Sequence, residues 1–328
     1  MKFLAQPPAE LRQMVRCLEL YYRQHRSQKD IARALGVSAA TVSRLLKRAA
    51  AEGLVRVELD LPRTPQLEAA LVQRYGLRDA VVVTTGGRGD LREELGLAAA
   101  AYFESVARDG MSIGVSCGFT VYQLIRYLRD GRFRNLRLYP LSGENTLRLV
   151  DLFPNTLVGM MAAKYRPRVT AYALPVQHVA SLREIERMRR RLLRDPEIRR
   201  IYEAARGVNI ALVGIGMIAE ETPGFCALAE HYGVSVERLR QLDVVGEINY
   251  HPFNAEGKVV DEPELRALTR RILSVEAARL QALARRPNRY VIAVAGGRGK
   301  IEAVRAALRG RFANVLVTDD EVASALIE

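Results

Sequence analysis

Short apolar runs rich in valine recur from about residue 67 onward and alternate with segments of helical periodicity. Continuous apolar strands separated by helices are typical of a parallel sheet that helices cover on both faces. The sequence therefore predicts an α/β fold with a doubly wound, mainly parallel, Rossmann-like sheet, whose ligands bind at the carboxyl ends of the strands. The runs are AVVVTT at 80–85, SIGVS at 112–116, LRLYPLSG at 136–143, VTAYALP at 169–175, NIALVGIG at 209–216, DVVGEI at 243–248, YVIAVAGG at 290–297 and NVLVTDD at 314–320.

A different pattern, at 27–53, predicts two helices joined by a tight turn. Ile31, Ala34 and Leu35 recur at helical spacing and give the first helix a short apolar face. Gly36 suits the end of that helix because glycine takes up left-handed backbone angles without a Cβ penalty. Ser38 is a natural N-cap for the second helix, since its hydroxyl can accept from the first unpaired amides.

The second helix of this pair is expected to enter the major groove of DNA. Val42, Leu45, Leu46 and Ala49 form an apolar stripe for the core, and the opposite face is small, polar and cationic. An ordinary helical hairpin with a solvated basic face is the alternative, but the turn, the cap and the segregation of side chains coincide within one window. The residues expected to contact DNA are Ser38, Ala39, Ala40, Thr41, Ser43, Arg44, Lys47 and Arg48.

The segments on either side extend this DNA-binding unit. Residues 11–25 predict an amphipathic first helix with Val15, Leu18 and Tyr22 on one side. LVRVELDL at 54–61 alternates apolar and charged residues with the period of a strand, which predicts a wing beside the helices.

Pro62 and Pro65 bracket an expected linker, because proline interrupts both helices and strand pairing. The chain is therefore expected to have an N-terminal helix-turn-helix, winged-helix-like DNA-binding domain at 1–60. Residues 61–328 are expected to form an effector-binding and oligomerisation domain.

The charge and the cysteines limit the classes of function. A formal net charge of +13 favours a polyanionic partner, either nucleic acid or a phosphorylated ligand. The chain has no apolar stretch long enough to span a membrane and no signal peptide, so a cytoplasmic protein is expected. Cys17, Cys117 and Cys226 lie far apart, and no cysteine–histidine cluster occurs. Neither a disulfide framework nor a metal site is expected.

Residues 182–206 are rich in arginine and have an Asp195–Pro196 break. A second nucleic-acid surface is one interpretation. Two solvated amphipathic helices, with Leu182, Ile185, Met188 and Leu192 buried, is the favoured one, because no aromatic residues are interleaved for stacking on single strands.

Four loops at the ends of predicted strands are candidates for binding chemistry. GVSCGFT at 114–120 precedes a predicted helix, whose first amides could hold a phosphate while Ser116 and Thr120 add hydroxyl donors. GGRGK at 296–300 places Lys300 within reach of a phosphate. LSGEN at 141–145 and GIG at 214–216 are weaker signals, and each of these loops could instead be a simple glycine turn. GIGMIA lacks the third glycine of a dinucleotide fingerprint, so no nicotinamide cofactor is expected.

The ordered set of motifs resembles the SorC family of bacterial regulators. The set is QKDIARALGVSAATVSRLLKRAAAEGLVRVEL, IGVSCGFT, YPLSG, LVGIG, VVGEINYHPFN, AVAGGRGK and NVLVTDDEVASALI, from about residue 12 to the C-terminus. That family joins a helix-turn-helix to an effector domain similar to sugar-phosphate isomerases and glucosamine-6-phosphate deaminase. The resemblance implies a tetrameric repressor or activator of a carbohydrate operon, bound to double-stranded operator DNA and switched by a sugar or, more often, a phosphorylated sugar.

Carried over by position, the resemblance also implies the residues of the effector site. The departures from the family pattern are Cys117, where tryptophan is frequent, Glu247, where aspartate is usual, and the glycine-poor LSGEN. They concern the identity of the inducer rather than the fold. The expected effector-binding residues are Ser116, Cys117, Gly118, Phe119, Thr120, Ser142, Gly143, Gly214, Gly216, Glu247, Asn254, Gly257, Gly296, Gly297 and Lys300.

Two classes of function compete. The favoured one is a ligand-responsive transcription regulator without enzymatic activity or a cofactor. The alternative is a sugar-phosphate isomerase or deaminase with an appended DNA-binding domain, which would need a positioned general base and a second acid. GEINYHPFN offers only one carboxylate, with Asn249 and Tyr250 where such an enzyme would carry further acid–base residues, and His251 as a conceivable base.

Overall fold

The computed structural model describes residues 9–24, 26–51, 54, 64–84, 90–143, 152–175, 182–220 and 224–328. The chain divides into two compact units, Met1–Leu61 and Pro62–Glu328. The strand expected at 54–61 and the proline linker at Pro62 lie outside the described residues, apart from Leu54. No helix of the described segments is long and apolar enough to cross a membrane.

The first unit is a small bundle of helices. It consists of α1 (Ala9–Leu18) with a π-helical continuation (Glu19–Arg23), α2 (Gln28–Leu35) and α3 (Ala39–Ala51). The buried apolar side chains are Met14, Cys17, Leu20, Ile31, Ala32, Val42, Leu45 and Ala49. The side of the first helix that the sequence emphasised is not its buried side, since Val15 is 44% exposed and Tyr22 is 46% exposed. In the regular part of the helix, the buried side is instead the one with Met14 and Cys17, which are three residues apart and form an apolar stripe of their own.

The predicted turn between α2 and α3 is confirmed. Gly36 ends α2 with a φ of 65°, in the left-handed region. The Oγ atom of Ser38 accepts a hydrogen bond from the amide of Thr41 at 3.1 Å, as an N-cap does. The Oγ atom of Ser27 accepts from the amide of Asp30 at 3.2 Å and caps α2 in the same way. Gly36 and Ser38 thus define the turn between the two helices, and Ser27 defines the start of α2.

The second unit alternates strands and helices along the chain. In order they are α4 (Pro65–Tyr75), β1 (Asp79–Val83), α5 (Leu91–Val106), β2 (Ser112–Val115), α6 (Phe119–Arg126), β3 (Leu136–Pro140), α7 (Pro154–Tyr165), β4 (Val169–Ala171), α8 (Leu182–Arg194), α9 (Pro196–Ala205), β5 (Ile210–Gly214), β6 (Gly216–Met217), α10 (Phe225–His231), α11 (Val236–Gln241), β7 (Gly246–Ile248), β8 (His251–Phe253), α12 (Pro263–Thr269), α13 (Ala277–Ala284), β9 (Tyr290–Val294), α14 (Ile301–Arg309), β10 (Val315–Asp319) and α15 (Asp320–Ile327).

Seven of these strands form one parallel sheet in the order β1-β10-β9-β5-β2-β3-β4. Side chains of α4, α9, α13, α14 and α15 pack on one face, and those of α5, α6 and α7 pack on the other. The predicted α/β class with a doubly wound parallel sheet is confirmed. The chain leaves β2 toward β3 and leaves β5 toward β9, so the connections diverge between these two neighbours. A crevice therefore opens at the carboxyl ends of β2 and β5.

The run DVVGEI does not join the parallel sheet as expected. Its strand β7 pairs antiparallel with β6 and β8, in a separate three-stranded sheet within the segment between β5 and β9. This segment has its own apolar core, which includes Phe225, Leu239 and Leu265. A run of only three paired residues carries too little pattern to show which sheet it joins. Strand β8 escaped the sequence analysis because Pro252 interrupts its pattern.

The arginine-rich region forms the two expected helices, α8 and α9. Asp195 caps α9, because its Oδ1 atom accepts from the amides of Glu197 at 2.9 Å and Ile198 at 3.0 Å. Ile185 is buried as expected, whereas Met188 and Leu192 are only half-buried, and the side chain of Leu182 lies outside the described residues. The apolar side of α8 is therefore narrower than its sequence suggests.

Candidate functional site

A cavity of about 660 Å³ lies in the second unit, over the crevice between β2 and β5. The ends of β2, β5 and β9 and the first turns of α5 and α6 contribute to its wall. The sequence-predicted residues that line it are Ser116, Cys117, Gly118, Phe119, Thr120, Gly214, Gly216, Glu247, Gly296, Gly297 and Lys300. Loops that are up to 184 residues apart in the chain, from 116 to 300, thus meet at one place.

Four predicted site residues lie outside this lining. Ser142 is fully buried and pairs with Ser274 through an isolated β-bridge. A Cβ atom on Gly143 would lie 2.6 Å from the carbonyl oxygen of Pro175. Asn254 borders a second cavity of about 530 Å³. Two residues of the LSGEN loop, at 144 and 145, lie outside the described residues.

Gly257 is the fourth, and its surroundings explain why glycine is present. Its φ is 75°, and a Cβ atom would lie 2.2 Å from the amide nitrogen of Gly310. The glycine therefore allows a close approach to the end of α14. Because a glycine needed for packing and a glycine needed beside a ligand look alike in sequence, the prediction placed it in the site.

The start of α6 presents unpaired backbone donors to the cavity. Gly118 is the N-cap with a φ of 125°, and no side chain caps the helix. The amides of the first turn, from Phe119 onward, lie at the positive end of the helix dipole and suit an anion.

The neighbouring hydroxyls serve the protein rather than a ligand. The Oγ1 atom of Thr120 donates to the carbonyl oxygen of Val294 at 2.8 Å, and the Oγ atom of Ser116 donates to the carbonyl oxygen of Cys117 at 3.2 Å. Each hydroxyl has one hydrogen, so both are engaged. This arrangement differs from the expectation that these hydroxyls donate to a phosphate.

Lys300 and Glu247 bring opposite charges to the cavity. The Nζ atom of Lys300 donates to the carbonyl oxygen of Ile215 at 2.8 Å and keeps two further donors. The carboxylate of Glu247 accepts from the amide of Tyr250 at 2.9 Å. Burial raises the pKa of Glu247 to about 7, against the opposing effects of the Tyr250 amide and Lys300. Burial also lowers the pKa of Lys300, against the attraction of Glu247.

Several lining residues were not predicted from the sequence. Arg92, in the first turn of α5, holds its guanidinium 5.0 Å from the ring centroid of Phe119 and adds a second cation beside Lys300. The signal that could have found it is the glycine-rich stretch TTGGRGD, which follows β1 and ends at the N-cap Asp90. Asp319 lies behind the wall, where its Oδ2 atom accepts from the amide of Gly297 at 2.6 Å.

The chemistry of the cavity suits binding of a small anion with hydroxyl groups. Arg92, Lys300 and the α6 amides favour negative charge, and Glu247 can accept from hydroxyls. Burial raises the pKa of the Cys117 thiol to about 12, so the thiol is neutral. His251 does not line the cavity, and its Nδ1 atom lies 2.8 Å from the carbonyl oxygen of Asn249. Among the described residues, no group of three or more histidine, cysteine or acidic side chains could hold a metal.

The residues predicted to contact DNA lie in α3, apart from Ser38, which is its N-cap. Arg44, Lys47 and Arg48 are exposed, and Val42, Leu45 and Ala49 are buried on the opposite face. Ser38, Ala39 and Ala40 are also exposed, whereas Thr41 and Ser43 are half-buried. The Nη2 atom of Arg44 lies 3.4 Å from the Oγ1 atom of Thr41, which directs the guanidinium toward the start of the helix.

Buried Glu247 is expected to make the protein less stable as the pH rises from about 4.5 to 7, and substitution of Glu247 by glutamine is expected to abolish this effect. The pKa of this carboxyl rises from 4.5 to about 7 on folding, so the folded protein binds more protons than the unfolded chain in that interval. The contribution of this carboxyl to the free energy of unfolding therefore falls as the pH rises through that interval, and Glu247→Gln should lack this contribution. Urea unfolding of both proteins between about pH 5 and 8 measures the difference. Glu256→Gln, at an exposed carboxylate, is the control; parallel curves for all three proteins would contradict the prediction.

Comparison with known proteins places these two units in a family. A family model for a sugar-binding domain (Sugar-bind) matches residues 60–328, and a MarR-family model (MarR_2) matches residues 15–61. The chain is 30% identical to the deoxyribonucleoside regulator of Bacillus subtilis, over 95% of this chain and 96% of that protein. It is also 30% identical to the sorbitol operon regulator of Klebsiella pneumoniae, over 97% and 98%. The crystal structure of full-length SorC from Klebsiella pneumoniae matches with a TM-score of 0.68 and 27% identity, over 98% of this chain and all of that one.

Proposed function

The chain belongs to the SorC family of transcriptional regulators, and from that premise we propose that it regulates a carbohydrate-metabolism operon in response to a phosphorylated monosaccharide. The chain is a regulator with a helix-turn-helix and a sugar-binding domain. Its relatives are named as regulators of deoxyribonucleoside, sorbitol and erythritol genes, which supports a carbohydrate operon for this chain as well.

The observation that carries the proposal is the charge arrangement in the cavity. A phosphate dianion needs several converging donors, and the α6 amides, Lys300 and Arg92 supply them at one end. Glu247 supplies an acceptor for sugar hydroxyls. Ser142, Gly143, Asn254 and Gly257 are left out of the proposed site because they do not line the cavity.

The same arrangement favours binding over turnover. An isomerase or deaminase needs a general base and a second acid close to the substrate carbons. Three described carboxylates line the cavity, of which Asp90 and Glu220 are exposed and Glu247 is buried, and His251 lies outside the cavity. The neutral thiol of Cys117 is a poor nucleophile. We therefore assign the chain no catalytic activity. We also propose a cytoplasmic location, because operator DNA is found there.

The proposed assembly is an even-numbered homo-oligomer, specifically a tetramer. One helix-turn-helix reads a half-site, and palindromic operators require two-fold pairs with half-sites about one helical turn, or a multiple, apart. The ligand must then favour one arrangement of the paired DNA-binding units over the other. A coupling of about 1–3 kcal/mol would change operator affinity by roughly 5- to 150-fold.

A panel of sugar phosphates tests this function. The purified protein is screened for thermal shifts and for turnover of each compound, and the compounds that bind are tested for their effect on operator affinity. Saturable binding without turnover, together with a change in operator affinity, is expected. Turnover would favour the enzyme, and the lack of any shift across the panel would refute the ligand class. Sedimentation of the same samples tests the assembly, for which a monomer with and without DNA is the contrary result.

Arg44 and Lys47 are expected to contribute to DNA binding in different ways. Arg44→Ala should cost roughly 1–3 kcal/mol and relax the preference at one operator position, because a guanidinium can read a base edge. Lys47→Ala should weaken binding to all sequences and reduce the salt dependence, as the loss of a phosphate contact does. Titrations of operator and random duplexes at several salt concentrations separate the two effects. Equal losses of Arg44→Ala on both duplexes would exclude a reading role.

A further inference from the structure

A row of exposed arginines follows one side of α8. They occupy positions 183, 187, 190, 191 and 194, a spacing that repeats with the helical turn. All five side chains are exposed, whereas Arg189, on the other side, is half-buried and approaches the hydroxyl of Tyr202 at 3.5 Å. The row is about 16 Å long at 1.5 Å per residue. The arginine row is defined as Arg183, Arg187, Arg190, Arg191 and Arg194.

None of the five has an acidic partner in the part of the chain that the structure describes, and the same holds for other exposed arginines of this unit, such as Arg132 and Arg240. The arginine row differs from these because its five members share one side of a single helix. Elsewhere in the unit, Arg200 pairs with Glu197 at 2.5 Å and Arg238 pairs with Glu264 at 2.7 Å. On α8 itself, Glu186 pairs with Arg270, which belongs to another segment. Five guanidinium groups are thus presented together to solvent.

This arrangement works against the stability of the helix that carries it. Positions 183 and 187, 187 and 191, and 190 and 194 are each four residues apart, so like charges face one another along the helix. Like charges at this spacing destabilise a helix. The burial of Ile185 on the opposite side accounts for the packing of α8 but not for the charges. A partner that removes the repulsion has to be a polyanion.

We propose that the arginine row binds the phosphate backbone of duplex DNA without reading its sequence. The proposal rests on the DNA-binding function above and adds a second contact, within the sugar-binding unit. Duplex DNA carries one negative charge per about 1.7 Å of axis. A stretch of DNA along the row of about 16 Å therefore offers phosphates to all five cations, which separate carboxylates do not. Guanidinium groups bind phosphate with two parallel hydrogen bonds, which suits them to this role.

The test compares two full-length variants that lose the same charge. The first replaces all five residues of the arginine row by glutamine, which keeps helix propensity. The matched control replaces five exposed arginines elsewhere in the same unit, which are Arg132, Arg134, Arg240, Arg285 and Arg286. Binding to a labelled DNA duplex of random sequence is measured by fluorescence anisotropy between about 50 and 200 mM salt. Circular dichroism and thermal unfolding establish that both variants are folded.

The slope of log affinity against log salt is the decisive quantity. Each lost phosphate contact should make this slope less steep by about 0.9. Loss of the whole row should therefore change the slope by up to about 4.5, whereas the slope of the control variant should stay within about 1 of the wild-type value. Equal slopes for the two variants would overturn the proposal. An unchanged slope together with an altered oligomeric state would overturn it too and would assign the row to contacts between copies. If the wild type itself binds no DNA, the proposed function fails before this inference is reached.

Discussion

Alanine in place of Gly257 is expected to lower the free energy of unfolding by about 4 kcal/mol or more, a size seen only for severe structural conflicts. The added Cβ atom would lie 2.2 Å from the amide nitrogen of Gly310 and 2.4 Å from the carbonyl oxygen of Ala306. Both are backbone atoms, so no side chain can rotate away. The end of α14 and the turn after β8 would have to separate, and apolar contacts around Phe312 would loosen with them.

Gly110 provides the matched control for this prediction. Its φ is 78°, almost that of Gly257, and a Cβ atom there would meet nothing within 4 Å. Gly110→Ala should therefore show only the cost of a left-handed backbone, about 1–2 kcal/mol. Urea unfolding of the two variants and the wild type gives both differences. Similar losses for both glycines would mean that the contact with Gly310 relaxes at little cost.

Methionine in place of Lys300 is expected to weaken effector binding by roughly 10- to 150-fold. A hydrogen bond to a charged group is worth about 1.5–3 kcal/mol, and the ammonium of Lys300 also offsets the charge of Glu247 near the ligand. Without it, a phosphate and a carboxylate would share the cavity with less positive charge between them. Operator affinity in the absence of effector should stay near that of the wild type, because α3 lies in the other unit.

The measurement uses the sugar phosphate that gives the largest thermal shift with the wild type. Its dissociation constant is determined by calorimetry for wild type, Lys300→Met and Lys258→Met. Lys258 is exposed and outside the cavity, so its variant removes the same charge without touching the site. If Lys300→Met binds as the wild type does, the phosphate is held elsewhere. Thr120→Val is a poorer probe, because the one hydrogen of the Thr120 hydroxyl is already donated to Val294, whereas Lys300 keeps two further donors beside its bond to Ile215.

The sequence predicted the parallel sheet because its strands are buried on both faces and therefore read as continuous apolar runs. It could not predict the order of the strands, in which β10 lies between β1 and β9, since the apolar runs do not specify neighbours. The antiparallel pairing of β6, β7 and β8 was missed for the related reason that each strand has only two or three paired residues.

The cavity was predictable where its residues follow a strand directly. Gly118 and Lys300 each stand in a glycine-rich turn after an apolar run, and such turns meet at one edge of a parallel sheet. Arg92 was not predictable in the same way, because its place in the lining depends on how α5 crosses from β1 at the sheet edge toward β2. The Thr120 hydroxyl was predicted to donate to a phosphate, but it donates to the carbonyl oxygen of Val294. The sequence could not indicate this hydrogen bond because Val294 is 174 residues away in the chain.

The position of β10 has a consequence for how the protein is made. On the ribosome, β1 is the first of the seven described strands of this sheet to be synthesised, but its hydrogen-bonded neighbour is β10, the last of the seven. Until β10 has been synthesised, the valine-rich β1 has an unpaired edge. Unpaired strand edges are prone to aggregation and are protected by chaperones. Asp319, which holds the amide of Gly297 in the cavity wall, arrives with the same strand. The wall of the cavity is therefore complete only after translation has passed residue 319.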